Sequence, residues 1–220
     1  MAGLVGGNLL VSSSIQYVIN VVMTVPALIY MDRWGRRRTL LVGSTLMMIW
    51  LFANGGIMAT YGRPAPPGGT NNVPPASWQV SGPASKAVVA CSYLFVASFA
   101  CTWGPVSWVY PPELFPLRVR GKAVALCTSA NWIFNFALGY FVPPAFENIQ
   151  WKVYIVFGVF CATMTIHVFL YFPETSGKSL EQIENMFEKG IPAWRTMVDN
   201  GTNPTGIHLT RLPSGNAQEV

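Results

Sequence analysis

The sequence predicts an all-α transmembrane protein, a bundle of about five membrane-spanning helices, and three observations carry that reading. Hydrophobic residues make up 51% and charged residues 10% of the 220 positions, whereas a soluble domain carries about 25% charged residues. Mean hydropathy is +0.37. Five apolar runs reach the roughly 17 to 25 residues that a helix needs to cross about 30 Å of hydrocarbon. They are Leu9 to Met31, Leu40 to Tyr61, Ala87 to Tyr110, Ala123 to Phe141 and Val153 to Phe172.

The charges between the runs give an orientation. DRWGRRR joins the first two runs, and Arg118, Arg120 and Lys122 lie between the third and fourth, while the links Gly62 to Lys86 and Glu147 to Lys152 hold few charges. By the positive-inside rule both basic links are cytoplasmic, which puts the C-terminus inside and the N-terminus outside. The N-terminus lacks a basic flank and the first run is too long for the apolar region of a cleaved signal peptide. Five helices with an outside N-terminus lead to the expectation that further helices precede Met1. The net charge of +5 is topological and does not point to nucleic acid, because Arg36, Arg37 and Arg38 adjoin a membrane-length run with no zinc-ligand or RNA-reading pattern beside them. Cys91, Cys101, Cys127 and Cys161 all fall inside apolar runs, without metal-ligand spacing, and are expected to be small buried residues. No nucleophile set, metal set or phosphate loop is present, so the sequence is not read as an enzyme and no cofactor or metal is expected.

The first helix carries Ser13, Gln16, Asn20 and Thr24, which at 100° per residue fall within a face of about 80°. An unpartnered amide in lipid costs several kcal/mol, so the stripe faces either other helices or a substrate path. After the second helix, GRPAPPGGTNNVPPASWQVSGPAS is rich in Pro and Gly and reads as an irregular external loop without a core of its own. In the third helix Pro105 removes a backbone donor and Gly104 loosens the turn before it, so a break is expected there. Broken helices expose backbone to substrate and supply hinges in many carriers. Trp108 lies four residues after Gly104, on the same face; an interfacial belt residue is the other reading of this Trp.

The fourth helix presents ANWIFNF. Asn131 and Asn135 are one helical turn apart with Trp132 beside them. Amides donate and accept at once, which suits vicinal hydroxyls, and an aromatic plate suits the C–H face of a sugar ring; hydrogen bonding between helices is the alternative. His167 in the fifth helix has no acid in the same run to relay a proton and is read as structural. Beyond Phe172, Ser179 with Gln182 forms a capping box, and Leu180, Ile183 and Phe187 space a short amphipathic helix closed by Gly190. The residues from 188 to 220 are expected to be a disordered cytoplasmic tail.

DRWGRR after the first helix, GPVSWVYPPELFPLRVRGKA across the third, NWIFN in the fourth and PETSGKSLEQIE after the fifth resemble the C-terminal half of a sugar porter of the major facilitator superfamily, similar to fungal hexose transporters in particular. The resemblance runs from about Asn8 to Phe187 and implies that residues 1 to 187 correspond to helices eight to twelve of a twelve-helix carrier, a partial form of that fold. It implies a central sugar site taking contacts from Asn20, from Phe99, Gly104 and Trp108, and from Asn131, Trp132 and Asn135. It matches Asp32, Arg36, Arg37, Glu113, Arg120 and Glu174 to charged motifs that tie helix ends together on the cytoplasmic side; as exposed charges these residues could also serve topology alone. The implied partners are a small-molecule sugar, the lipid bilayer, expected to be the plasma membrane, and in a cotransporting member a coupling proton. The family's seventh helix and its whole N-terminal half are absent from the sequence, so the chain is expected to hold half of a site and not to transport alone. A non-transporting sensor or a degenerate remnant is the second expectation, although the 30 residues after Gly190 are short for a signalling tail.

Overall fold

The computed structural model describes residues 7–64 and 78–188, together with Gly190, Pro192, Ala193 and Thr196. Helix α1 (Gly7–Trp34) and α2 (Arg36–Tyr61) are separated by a single residue, Gly35. Two short strands, β1 (Arg63–Pro64) and β2 (Trp78–Gln79), pair antiparallel before α3 (Pro83–Cys101). Then follow α4 (Trp103–Leu114), the long α5 (Leu117–Asn148), α6 (Lys152–Tyr171) and the short α7 (Leu180–Glu188).

The chain is an all-α membrane bundle. Among the described residues, four helical stretches are long and apolar enough to cross a membrane: Val11–Trp34, Arg36–Tyr61, Pro83–Leu114 and Lys152–Tyr171. The expected run from Ala123 to Phe141 lies inside α5, whose 32 residues are more than a span requires. That run is not among the four, being interrupted by Asn131 and Asn135. Arg118, Arg120 and Lys122 are in the opening turns of α5 and not in a loop. The connection from α4 is only Phe115 and Pro116: the residue before a proline is driven into extended backbone, Phe115 having φ −97° and ψ 136°, and Pro116 is the N-cap of α5, with φ −56° and ψ 150°.

Helix α2 is the centre of the bundle. It packs most extensively against α6 and α3 and also touches α1 and α4, while α5 meets the others mainly through α4. Small residues permit the close approach to α6 that membrane helices need in place of a hydrophobic drive: side-chain carbons at Gly55 and Gly158 would meet Ile155 and Phe52 at 2.5 and 3.0 Å. One apolar cluster, Met31, Leu40, Val106, Tyr110 and Val168, gathers α1, α2, α4 and α6 at one end. At the other end Met58, Val80 and Val88 form a second.

That second cluster modifies the expected loop. Residues 65–77 lie outside the described residues, but the loop's two ends are held. The Trp78 indole donates to the Met58 carbonyl at 2.9 Å, which also accepts the Gly62 N–H that closes α2 at 3.0 Å, and Val80 is fully buried. The four cysteines are free, but they are not buried as expected: Cys127 is exposed and the others are half-buried, because the apolar runs that contain them face outward over much of their surface. In the stretch expected to be disordered, Ala193 and Thr196 are buried. The Thr196 hydroxyl accepts the Glu174 N–H at 3.0 Å and donates to the Ala193 carbonyl.

Candidate functional site

The most closely built constellation joins four helix ends. Gly35 has φ +88°, a conformation open in practice only to glycine, and a side-chain carbon there would meet the Glu174 carboxylate at 2.6 Å. The turn therefore does two things: it reverses the chain within one residue and it opens α2's first N–H groups. The Glu174 carboxylate, 138 residues downstream, occupies them, accepting from Arg36 N at 2.8 Å and Arg37 N at 3.2 Å. It also accepts from Ser176 N at 3.1 Å. A carboxylate at a helix N-terminus satisfies orphan donors and complements the helix dipole.

The reciprocal contact lies beside it. Arg37 is fully buried and its Nη2 donates to the Phe169 carbonyl at 2.6 Å, in the last turn of α6, where carbonyls lack intrahelical partners and a cation is favoured. Its guanidinium also sits 5.4 Å from the centre of the Phe169 ring, a cation–π distance. Arg37 Nε and Nη1 have no hydrogen-bond partner among the described residues. Arg36 grips Glu113 with a two-pronged contact, Nε to Oε2 at 3.0 Å and Nη2 to Oε1 at 2.8 Å, the geometry in which a planar guanidinium matches a carboxylate. Nη2 also meets Asp32 at 2.9 Å. Asp32 is 69% exposed and Glu113 31%, so the inner pair carries more of the energy. Thr175 donates to Glu113 at 3.1 Å and the Tyr110 hydroxyl donates to the Pro173 carbonyl at 2.9 Å.

Five of the six expected charged residues, Asp32, Arg36, Arg37, Glu113 and Glu174, thus meet in one latch. Arg120 does not join it; its Nε donates to the Phe115 carbonyl at 3.3 Å, because it sits one turn into α5 and folds back over its own helix start. Sequence reasoning missed Thr175, Ser176 and Tyr110. The first two adjoin Glu174 in the PETS segment, which was the available signal, whereas Tyr110 had none beyond its place one turn before Glu113.

The second candidate constellation is more open. The break in the third run is at Thr102, with φ −129° and ψ −80°, two residues before Gly104. Pro105 has no N–H to offer the Cys101 carbonyl, so it is accommodated as the third residue of a new helix, where no intrahelical donor is required. Phe99 and Gly104 meet across this break: a side-chain carbon on Gly104 would lie 3.7 Å from Phe99 Cε1. Trp108 is 61% exposed. On α5 Asn131, Trp132 and Asn135 are all exposed, and Asn135 Nδ2 donates to the Asn131 carbonyl at 2.9 Å and to its Oδ1 at 3.3 Å. Asn20 on α1 is half-buried and its carbonyl accepts from the Thr24 hydroxyl at 2.8 Å. Helix α4 touches both α1 and α5, so the elements carrying these residues are contiguous. The His167 and Tyr171 rings lie with centres 4.9 Å apart, tilted by 36°. No group of three or more His, Cys, Asp or Glu residues able to hold a metal occurs among the described residues.

Residues 1–187 match the family described as "Sugar (and other) transporter". The chain is 52% identical over 199 residues to a high-affinity glucose transporter of Kluyveromyces lactis, covering 89% of this chain and 36% of that protein. It is 50% identical over 197 residues to high-affinity glucose transporter 1 of Candida albicans, with the same two coverages. Among solved structures, the inward-open xylose transporter XylE from E. coli superposes with a TM-score of 0.64 at 28% identity, covering 80% of this chain and 35% of that one. A D-xylose–proton symporter gives 0.63 at 25% identity, covering 81% and 37%. The chain therefore spans little more than a third of the length of these relatives.

Proposed function

Because the chain belongs to the sugar (and other) transporter family, we propose that it is the C-terminal membrane portion of a monosaccharide carrier that works by alternating access and carries nothing on its own. One observation carries the sugar reading: α5 presents Asn131, Trp132 and Asn135 on an open surface next to the helix that carries Trp108. Amides that donate and accept beside aromatic plates match the hydroxyls and C–H face of a hexose. Asn20, Phe99 and Gly104 complete this half of the site, and the missing half would come from the remainder of such a carrier.

The latch side is the cytoplasmic side in this proposal, since Arg33, Arg36, Arg37, Arg38, Arg118, Arg120 and Lys122 gather at those helix ends. The C-terminal tail then lies inside and the membrane is the plasma membrane. Cotransport with a proton is supported only by the likeness to a proton symporter, and no carboxylate stands in the middle of a described span. A sensor is the second reading. It is favoured by the contact of Thr196 with Glu174, which ties the tail to the latch.

The experiment is a graft. The chain replaces the corresponding 36% of the Kluyveromyces lactis transporter in a yeast strain unable to take up hexose. Trp108→Ala and Asn131→Ala should each raise the KM for hexose by about tenfold, the effect of losing about 1.4 kcal/mol of binding, with membrane insertion unchanged. Unchanged KM in both variants would refute the assignment of the site.

A further inference from the structure

Helix α4 is fastened to α2 at both ends. At its C-terminal end Glu113 meets Arg36. At its N-terminal end the joint residue Thr102 is 8% exposed and folds onto its own chain, its hydroxyl donating to the Ser98 carbonyl at 2.6 Å and its N–H to the Phe99 carbonyl at 3.1 Å. The next residue, Trp103, donates its indole N–H to the Leu40 carbonyl on α2 at 3.1 Å. The surface that receives this joint is Gly43, which is buried. A side-chain carbon at Gly43 would lie 2.5 Å from Thr102 Cβ and 3.0 Å from Trp103 Cδ1, and closer still to the Thr102 hydroxyl oxygen. Thr102 cannot give way cheaply, since it is the point at which the backbone changes direction.

We propose that Gly43 is a positioning residue: it is the notch on α2 that seats the α3–α4 break, and with Arg36 it fixes the line along which α4 presents Trp108. The role in sugar binding rests on the proposed function, whereas the seat itself does not. Gly56, on the same helix, makes the contrast. A side-chain carbon there would meet nothing within 4 Å, so a replacement tests the general effect of alanine for glycine in α2 without touching a seat.

The test is a double-substitution cycle on the full chain in lipid nanodiscs, read by amide hydrogen exchange of residues 102, 103, 104 and 106. Gly43→Ala should accelerate exchange there by about tenfold or more, and Gly56→Ala should leave it within about twofold of the parent protein. In a Thr102→Gly background, which removes the opposing carbon and hydroxyl, Gly43→Ala should have less than about a third of that effect, the non-additivity expected of residues in contact. Equal effects of Gly43→Ala in the two backgrounds, or no effect in either, would overturn the seat. In the yeast graft the same substitution should raise the KM for hexose at least about threefold, with maximal rate within about twofold; an unchanged KM would overturn the positioning role. Because exchange is measured without sugar, failure of the seat and failure of the transport reading give different results.

Discussion

Arg36 and Arg37 are adjacent in sequence and are spent differently. Arg36 faces two carboxylates, and its pair with Glu113 is two-pronged and mostly shielded, whereas Asp32 is largely in solvent. Removing one partner of a shielded pair strands the other, so Glu113→Ala should destabilise the chain by about 2 kcal/mol, and Asp32→Ala by less than about 1 kcal/mol. Unfolding of the purified chain in mixed detergent–SDS micelles gives both values, and equal losses would contradict the ranking. Arg37 instead caps a helix end, which explains a fully buried guanidinium without a carboxylate on its own donors. The charged motifs were legible in the sequence as residues that belong together. Their division of labour was not, because it depends on which end of which helix each one reaches. Arg120 illustrates the limit: it stands among the basic residues that mark the same membrane side, yet its helix register turns it back to Phe115.

The helical elements were legible where local chemistry fixes them. Ser179 and Gln182 form the expected reciprocal cap, with Ser179 N donating to Gln182 Oε1 at 2.9 Å and Gln182 N to Ser179 Oγ at 3.3 Å, and Gly190 closes the segment at φ +60°. Of Leu180, Ile183 and Phe187 in α7, only Ile183 is buried, at 3% exposure. The break near Gly104 was displaced to Thr102, since proline dictates which carbonyl loses its donor, while docking on α2 decides where the chain bends. The clamp of Trp78 on Met58 was illegible, because it joins a helix end to a loop end 20 residues away with no periodicity to announce it. At this scale Gly35 is decisive. It links α1 to α2 and leaves room for the Glu174 cap, so Gly35→Ala should cost at least about 2 kcal/mol, from backbone strain and from displacement of the carboxylate. The same unfolding measurement checks it, and a loss below about 0.5 kcal/mol, the level of an ordinary surface change, would show that the turn tolerates a side chain.

For the whole molecule, the arrangement is asymmetric in a way that suits a carrier. The end holding Asp32, Arg36, Glu113 and Glu174 is tied across four helices, while α1 and α5 expose large apolar and polar surfaces along much of their length, including Tyr17, Val21, Trp132 and Phe136. A latched end beside open flanks is what one half of a rocking pair requires, since alternating access moves two bundles about a shared site. The family was legible from four motifs in order, and the fold followed from apolar runs of membrane length. The residues of the proposed sugar site were legible only one by one, because they lie on α1, α3, α4 and α5, and no periodicity in the sequence says how those helices are arranged. The central claim is that this chain carries sugar as part of a two-half carrier and not by itself. Its most direct measurement is the initial rate of labelled hexose uptake, taken in parallel for the yeast graft and for vesicles containing the chain alone. Saturable uptake by the graft and none by the chain is the predicted result; uptake by the chain alone, or none by a correctly inserted graft, would contradict it.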